Sequence, residues 1–179
     1  MSEPSDRSAS VEGWVAQSLP RALAYALSLT RDRHLAEDIV QDCFCRLLAK
    51  RDTYDLPRDG FKILLRAITN ACIDRQRQVE ERTNVEMADE CEPIRSDACM
   101  THIPDPPEIA MSRELESAIG MALQHLSWPQ RAALELKSLG CSLAEVAAAL
   151  RVSESNAGVL VHRARQAMTR ELGPFLKAD

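Results

Sequence analysis

Apolar residues recur at helical spacing along most of the chain and predict an all-α protein. From Val11 to Leu29 the apolar positions Trp14, Val15, Leu19, Leu23, Tyr25, Ala26 and Leu29 predict one or two helices, with Pro20 as a break or first-turn residue. Thr30 to His34 reads as a short polar connection. Leu35 to Lys50 is the clearest amphipathic helix of this half: Ile39, Val40, Cys43, Phe44, Leu47 and Leu48 form its apolar stripe, and Glu37, Asp38, Gln41, Asp42 and Arg46 take the other faces. Arg51 to Gly60 reads as a loop from its Pro, Gly and Asp content. Phe61 to Gln78 is helical again, with Phe61, Leu64, Leu65, Ile68, Cys72 and Ile73 inside and Arg66, Arg75 and Arg77 in its basic half.

The periodicity stops at Val79 and returns at Ala110. The intervening residues 79–109 are acidic, rich in turn formers, and end in a proline cluster. Some thirty structureless residues are too many for a connection inside one compact domain. The pattern therefore predicts two small helical domains, 11–78 and 110–173, joined by an acidic flexible linker, with residues 1–10 disordered. In the second domain Leu115, Ile119, Leu123 and Leu126 form a stripe. Trp128 and Pro129 start a helix with Ala132, Ala133, Leu134, Leu136 and Leu139 inside, and Gly140 ends it.

Cys141 to Arg170 reads as two capped helices joined by a tight turn. Ser142 and Glu145 form a capping box before Leu143–Leu150, where Val146, Ala147 and Leu150 share a face. Arg151 and Val152 make the corner, and Ser153 caps a longer helix through Ala157, Leu160, Val161, Ala164 and Met168. A short helix, a turn and a longer helix form a helix-turn-helix, whose second helix can enter a DNA major groove. The exit is rich in arginine: Arg163, Arg165 and Arg170. An ordinary helical hairpin is the bland alternative.

Composition changes this picture in one respect. The 179-residue chain carries a formal net charge of -5, which argues against a protein that grips nucleic acid unaided, because phosphate neutralisation supplies most non-specific affinity. DNA binding must come from local basic patches or be completed by a partner. No signal peptide and no membrane span are legible, and the six scattered cysteines lack a pairing pattern, which points to a reduced, intracellular protein. Cys43, Cys45 and Cys72 are expected to pack as small hydrophobes. Cys91, Cys99 and His102 fit no standard zinc spacing, so neither metal nor cofactor is expected. His34, His125 and His162 have no acid-base partner at useful spacing. With no phosphate loop, nucleophile elbow or carboxylate pair, no enzyme is expected.

The segments LAEDIVQDCFCRLL and FKILLRAITNACIDRQRQ resemble the second conserved region of bacterial sigma-70-type transcription initiation factors and its promoter -10 reading helix. LQHLSWPQRAALELKSLGCSLAEVAAALRVSESNAGVLVHRAR resembles the fourth region, which reads the -35 element. Two such regions on a short chain with an acidic linker resemble the extracytoplasmic-function class. The resemblance implies a cytoplasmic factor that binds core RNA polymerase, at the clamp of its largest subunit and at its flap, and recognises promoter DNA. It implies polymerase contacts at Glu37, Asp38, Gln41, Asp42 and Arg46. Asn70 would line a pocket for a flipped -10 base, since a neutral amide both donates and accepts. Arg66, Arg75 and Arg77 would meet DNA phosphates, with Asp74 orienting a neighbouring arginine. Ser155, Asn156, His162, Arg163 and Arg165 would contact the -35 element. An anti-sigma factor is implied as a partner by resemblance only.

Two departures stand out. Ile63 occupies the place of a common tryptophan, and Gly158, Val159 and Leu160 stand where basic or polar residues are usual. The second departure keeps one alternative open, a sigma-like mimic that titrates an anti-sigma factor; a stand-alone helix-turn-helix regulator is a third reading, against which the net charge speaks.

Overall fold

The computed structural model describes residues 4–83 and 117–176, and among these all regular structure is helical, in two compact units.

The first unit comprises α1 (Pro4–Thr30), α2 (Arg33–Leu48), a π-helical turn (Leu56–Gly60) and α3 (Phe61–Thr83). The three helices pack on one another, and the π turn lies against α1 and α3. Tyr25, Val40, Leu64, Leu65 and Ile68 are the large side chains most completely withdrawn from water. The Tyr25 hydroxyl and Thr69 Oγ1 lie 2.8 Å apart in the core, while the Thr69 hydroxyl donates to the Leu65 carbonyl at 2.8 Å. This arrangement ties α1 to α3 with buried hydroxyls that are hydrogen-bonded, as burial requires.

Several expectations change here. The helix begins at Pro4, inside the stretch expected to be disordered; a proline is tolerated there because a first-turn N–H needs no intrahelical partner. Pro20 does not break α1. Both Pro20 and Ala16, whose carbonyl loses its N–H partner, are exposed, so water can satisfy that carbonyl. Leu19, expected inside, is 44% exposed. α2 starts two residues early because the Asp32 side chain caps it, accepting from the Leu35 N–H at 3.0 Å. The second half of the expected loop 51–60 is the π turn, capped by Asp55 and anchored by buried Leu56 and Gly60. α3 continues through Thr83, so the first five residues assigned to the linker are helical. The rest of the linker, with Cys91, Cys99 and His102, lies outside the described residues, as do residues 1–3.

Gly60 has a packing reason. A Cβ there would sit 2.9 Å from the Trp14 ring and 3.2 Å from a Leu56 methyl, and that ring is held in turn by Phe44, with centroids 5.6 Å apart. Gly60→Ala is expected to lower the stability of this unit by about 1–3 kcal/mol, the usual cost of overpacking. Urea denaturation followed by circular dichroism measures it.

The second unit comprises α4 (117–124), α5 (Trp128–Ser138), α6 (Leu143–Leu150) as far as Ala147, and α7 (Glu154–Leu176), with α5 packed along α7. In α4 the buried positions are Ala118 and Ala122, followed by Leu126; Ile119 and Leu123 are only half-buried. α5 opens with a capping box formed by Ser127 and Gln130. It closes on Gly140 at φ 91°, where the Gly140 N–H reaches the Lys137 carbonyl and the Cys141 N–H the Leu136 carbonyl. This is a Schellman stop, which favours glycine at the left-handed position. His125 Nδ1 lies 3.5 Å from Glu171, a partner 46 residues away that sequence spacing could not supply.

Cys43, Cys45 and Cys72 are free thiols. Cys43 and Cys72 are buried, but Cys45 is exposed on α2 rather than packed in the core, because its register places it opposite Cys43. Burial pushes the Cys43 thiol up to about 11, and burial with the neighbouring Cys43 pushes Cys72 up to about 12. At pH 8, iodoacetamide is therefore expected to modify Cys45 and spare Cys43 and Cys72 until denaturant is added, as fragment mass mapping would show. Because the folded thiols titrate above their ordinary value of 9.0, their contribution to stability is complete below pH 9 and is lost as pH rises through about 11 to 12.

Candidate nucleic-acid and polymerase interface

α2 buries Ala36, Ile39, Val40, Cys43, Phe44 and Leu47, which turns Asp38, Gln41, Asp42 and Arg46 outward and leaves Glu37 half-exposed. The sequence-predicted polymerase contacts thus share the solvent side of one rigid helix. Arg33 pairs with Glu37 at 2.8 Å, and Arg46 pairs with Asp42, each one turn away along the helix. Exposed pairs of this spacing contribute only about 0.3–0.5 kcal/mol, so a partner could open them at little cost.

On α3 the register sorts the predicted DNA contacts. Arg66, Asn70, Asp74 and Arg77 follow one another at intervals of four, four and three residues, forming one stripe, and Ile63 lies on the same side. Arg66, Asp74 and Arg77 are exposed and Asn70 is half-buried. Arg75 does not join them. It is exposed, but it lies nine residues beyond Arg66, about two and a half turns, and so points to the other side of α3. Lys62, four residues before Arg66 and exposed, extends the stripe, and the sequence reading missed it although the spacing was available. Phe61 is held at the start of α3 by the Arg21 guanidinium, 4.2 Å from its ring centroid.

The helix-turn-helix forms as its caps predict. The Ser142 hydroxyl accepts from the Glu145 N–H at 3.1 Å and the Glu145 carboxylate accepts from the Ser142 N–H at 2.6 Å. The turn hinges on Arg151 at φ 57°, with the Val152 N–H bonded back to the Ala147 carbonyl, a second Schellman-type stop. Ser153 Oγ then accepts from the Asn156 N–H at 3.2 Å and starts α7. Ala157, Val161 and Ala164 are buried, so Ser155, Asn156, His162 and Arg163 fall together on the exposed side. Arg165, also exposed, sits at the rim of that face, three residues or about 60° around from His162.

Gly158 has no packing reason: a Cβ there would meet nothing within 4 Å. Gly158→Ala is expected to raise the stability of the second unit by about 0.5–1 kcal/mol through helix propensity alone, read as an upward shift of its thermal midpoint.

Among the described residues no cluster of three His, Cys, Asp or Glu side chains is placed to hold a metal ion, and no helix is long and apolar enough to cross a membrane.

Residues 14–82 match the family model for sigma-70 region 2, and residues 116–168 match that for sigma-70 region 4. The chain is similar to the ECF RNA polymerase sigma factor SigW of Bacillus subtilis, with 28% identity over 147 residues, spanning 78% of this chain and 76% of that one. Its fold is similar to that of the sigma factor RpoE of Bartonella quintana, solved in complex with the anti-sigma factor NepR; the TM-score is 0.68 at 22% identity, covering 92% of this chain and 97% of that one. Two distinct sigma-70 regions, in order and each coincident with one of the helical units, show that the chain belongs to the sigma-70 family of transcription initiation factors, in its extracytoplasmic-function class.

Proposed function

We propose that the two units divide the work of promoter recognition. The outward side of α2 (Glu37, Asp38, Gln41, Asp42 and Arg46) docks on the clamp of the polymerase largest subunit. The stripe on α3 handles the -10 element: Asn70 reads an extruded base while Arg66 and Arg77, with Lys62, bind the displaced backbone. In the second unit, Ser155, Asn156, His162 and Arg163 on α7 read the -35 element in duplex form, beside the polymerase flap. Arg165 contributes at the rim of that face. The chain works in the cytoplasm, catalyses no reaction itself, and is held in check by an anti-sigma factor.

The observation that best supports this reading is the sorting of side chains by register: Arg66, Asn70, Asp74 and Arg77 share one side of α3, and Ser155, Asn156, His162 and Arg163 share the exposed side of α7. The net charge of -5 fits a factor whose electrostatic grip on DNA comes largely from the polymerase.

The test is binding of the purified chain to core RNA polymerase, followed by run-off transcription on a genomic promoter pool. Binding with new start sites supports the reading, and alignment of the upstream sequences reveals its two elements. Binding without transcripts would favour the mimic. Absence of binding would refute the assignment of α2.

A further inference from the structure

Val159 lies at the middle of the exposed face of α7 and is 43% exposed. Ser155 and Asn156 precede it by four and three residues, and His162 and Arg163 follow by three and four, so all four are its surface neighbours. The apolar side of the helix, Ala157, Val161 and Ala164, is turned the other way into the unit. Burial in its own unit therefore does not explain Val159. Helix propensity does not explain it either, because a β-branched residue is stiff and mildly unfavourable in a helix. Gly158 beside it is unfavourable too, and the open space around its missing Cβ means that internal packing does not demand it.

What these two residues make is a low, apolar spot ringed by a hydroxyl, an amide, an imidazole and a guanidinium. The floor of a DNA major groove has a matching feature. Amid its hydrogen-bonding edges the apolar group is the thymine C5-methyl, and small apolar side chains are what contact it. The polar and cationic ring favours DNA over an apolar peptide, since Asn156 suits a base edge and Arg163 a phosphate or a guanine.

We propose that Val159 is a specificity-determining residue that packs on a thymine C5-methyl in the upstream promoter duplex, with Gly158 keeping the helix surface low enough for close approach. The inference rests on the assignment of α7 as the -35 helix. Where basic or polar residues would contact backbone or hydrogen-bond to base edges, this chain selects a thymine by an apolar contact. The step is non-covalent and needs nothing besides the polymerase-bound chain and DNA.

The experiment uses holoenzyme assembled from the full chain and core polymerase, with a promoter library whose upstream duplex is randomised. The wild-type chain is expected to enrich thymine at one or more upstream positions, and Val159→Ser to lose that enrichment at one position while keeping the rest of the element. On the selected duplex, deoxyuridine in place of that thymine removes only the methyl. It should weaken wild-type holoenzyme binding about three- to fivefold, the effect of one buried methyl group, and leave the Val159→Ser holoenzyme unaffected. An enriched upstream element with no thymine dependent on Val159, or indifference of the wild type to deoxyuridine, would overturn the proposal and leave the -35 assignment standing. No upstream enrichment, with polymerase binding and -10 selection intact, would overturn the -35 assignment itself and the proposal with it. Val159 is exposed, so the variant keeps its fold, and circular dichroism of the full chain checks this.

Discussion

Leu65→Ala is expected to lower the stability of the first unit by about 2–5 kcal/mol, the range for truncating a fully buried leucine. Leu65 is 0% exposed, on the face of α3 that packs against the other helices of its unit. One turn further on, Thr69 is tied to Tyr25 of α1 at 2.8 Å, which holds α3 in place and leaves it little freedom to collapse into the cavity. Domain stabilities are commonly about 5–15 kcal/mol, so a loss of this size takes a large part of the total for a small helical unit. The chain carries its own reporters. It has two tryptophans, Trp14 buried in the first unit and Trp128 at the start of α5 in the second. With Trp128 replaced by Phe, fluorescence during urea unfolding reads the first unit. With Trp14 replaced by Phe, it reads the second. The Leu65→Ala midpoint should fall in the first experiment and stay in place in the second. An equal fall in both would show that the two cores do not melt independently.

Asn70→Ala is expected to reduce promoter-dependent run-off transcription tenfold or more while leaving the affinity for core polymerase unchanged. The size follows from the work assigned to the amide: a bidentate side-chain contact to a base edge discriminates by about 1–3 kcal/mol, roughly 5- to 150-fold. Extruding the base costs a few kcal/mol, which the pocket must offset through such contacts. Asn70 is half-buried and lies outside the fully withdrawn core of Leu64, Leu65 and Ile68, so its removal should barely alter stability. Asn70→Asp is the informative companion, because it keeps the shape, loses the donor and adds a negative charge towards DNA. It should be at least as defective as the alanine variant. If either variant transcribes normally with polymerase bound, the base-reading role of Asn70 is wrong. If polymerase binding falls as well, the defect lies in the fold or in α2.

Much of the candidate site was legible because helix register is a local property. Once α2 and α3 are placed by their apolar stripes, the outward positions of Asp38, Gln41, Asp42, Arg66 and Asn70 follow from counting. The same count could have found Lys62 and could have set aside Arg75, half a turn out of phase with Arg66. Charge alone was a poor guide at Arg75: arginine clustering drew attention to it, and only its angular position separates it from the stripe it was assigned to. Val159 was noted as a departure from a polar pattern, and its meaning changed when the structure placed it at the centre of an exposed face.

The sequence by itself determined the all-helical character, the order of the main helices and the helix-turn-helix with its caps. Those features depend on hydrogen bonds and periodicities spanning about four residues, such as Ser142 with Glu145 and Ser153 with Asn156. Only the tertiary structure decided that Gly60 must be small beneath Trp14, that Tyr25 meets Thr69 across 44 positions, and that His125 meets Glu171. Each of these depends on which surface of one helix is pressed against another. That choice is made by the packing of whole apolar faces, in which residues far apart in the chain become neighbours.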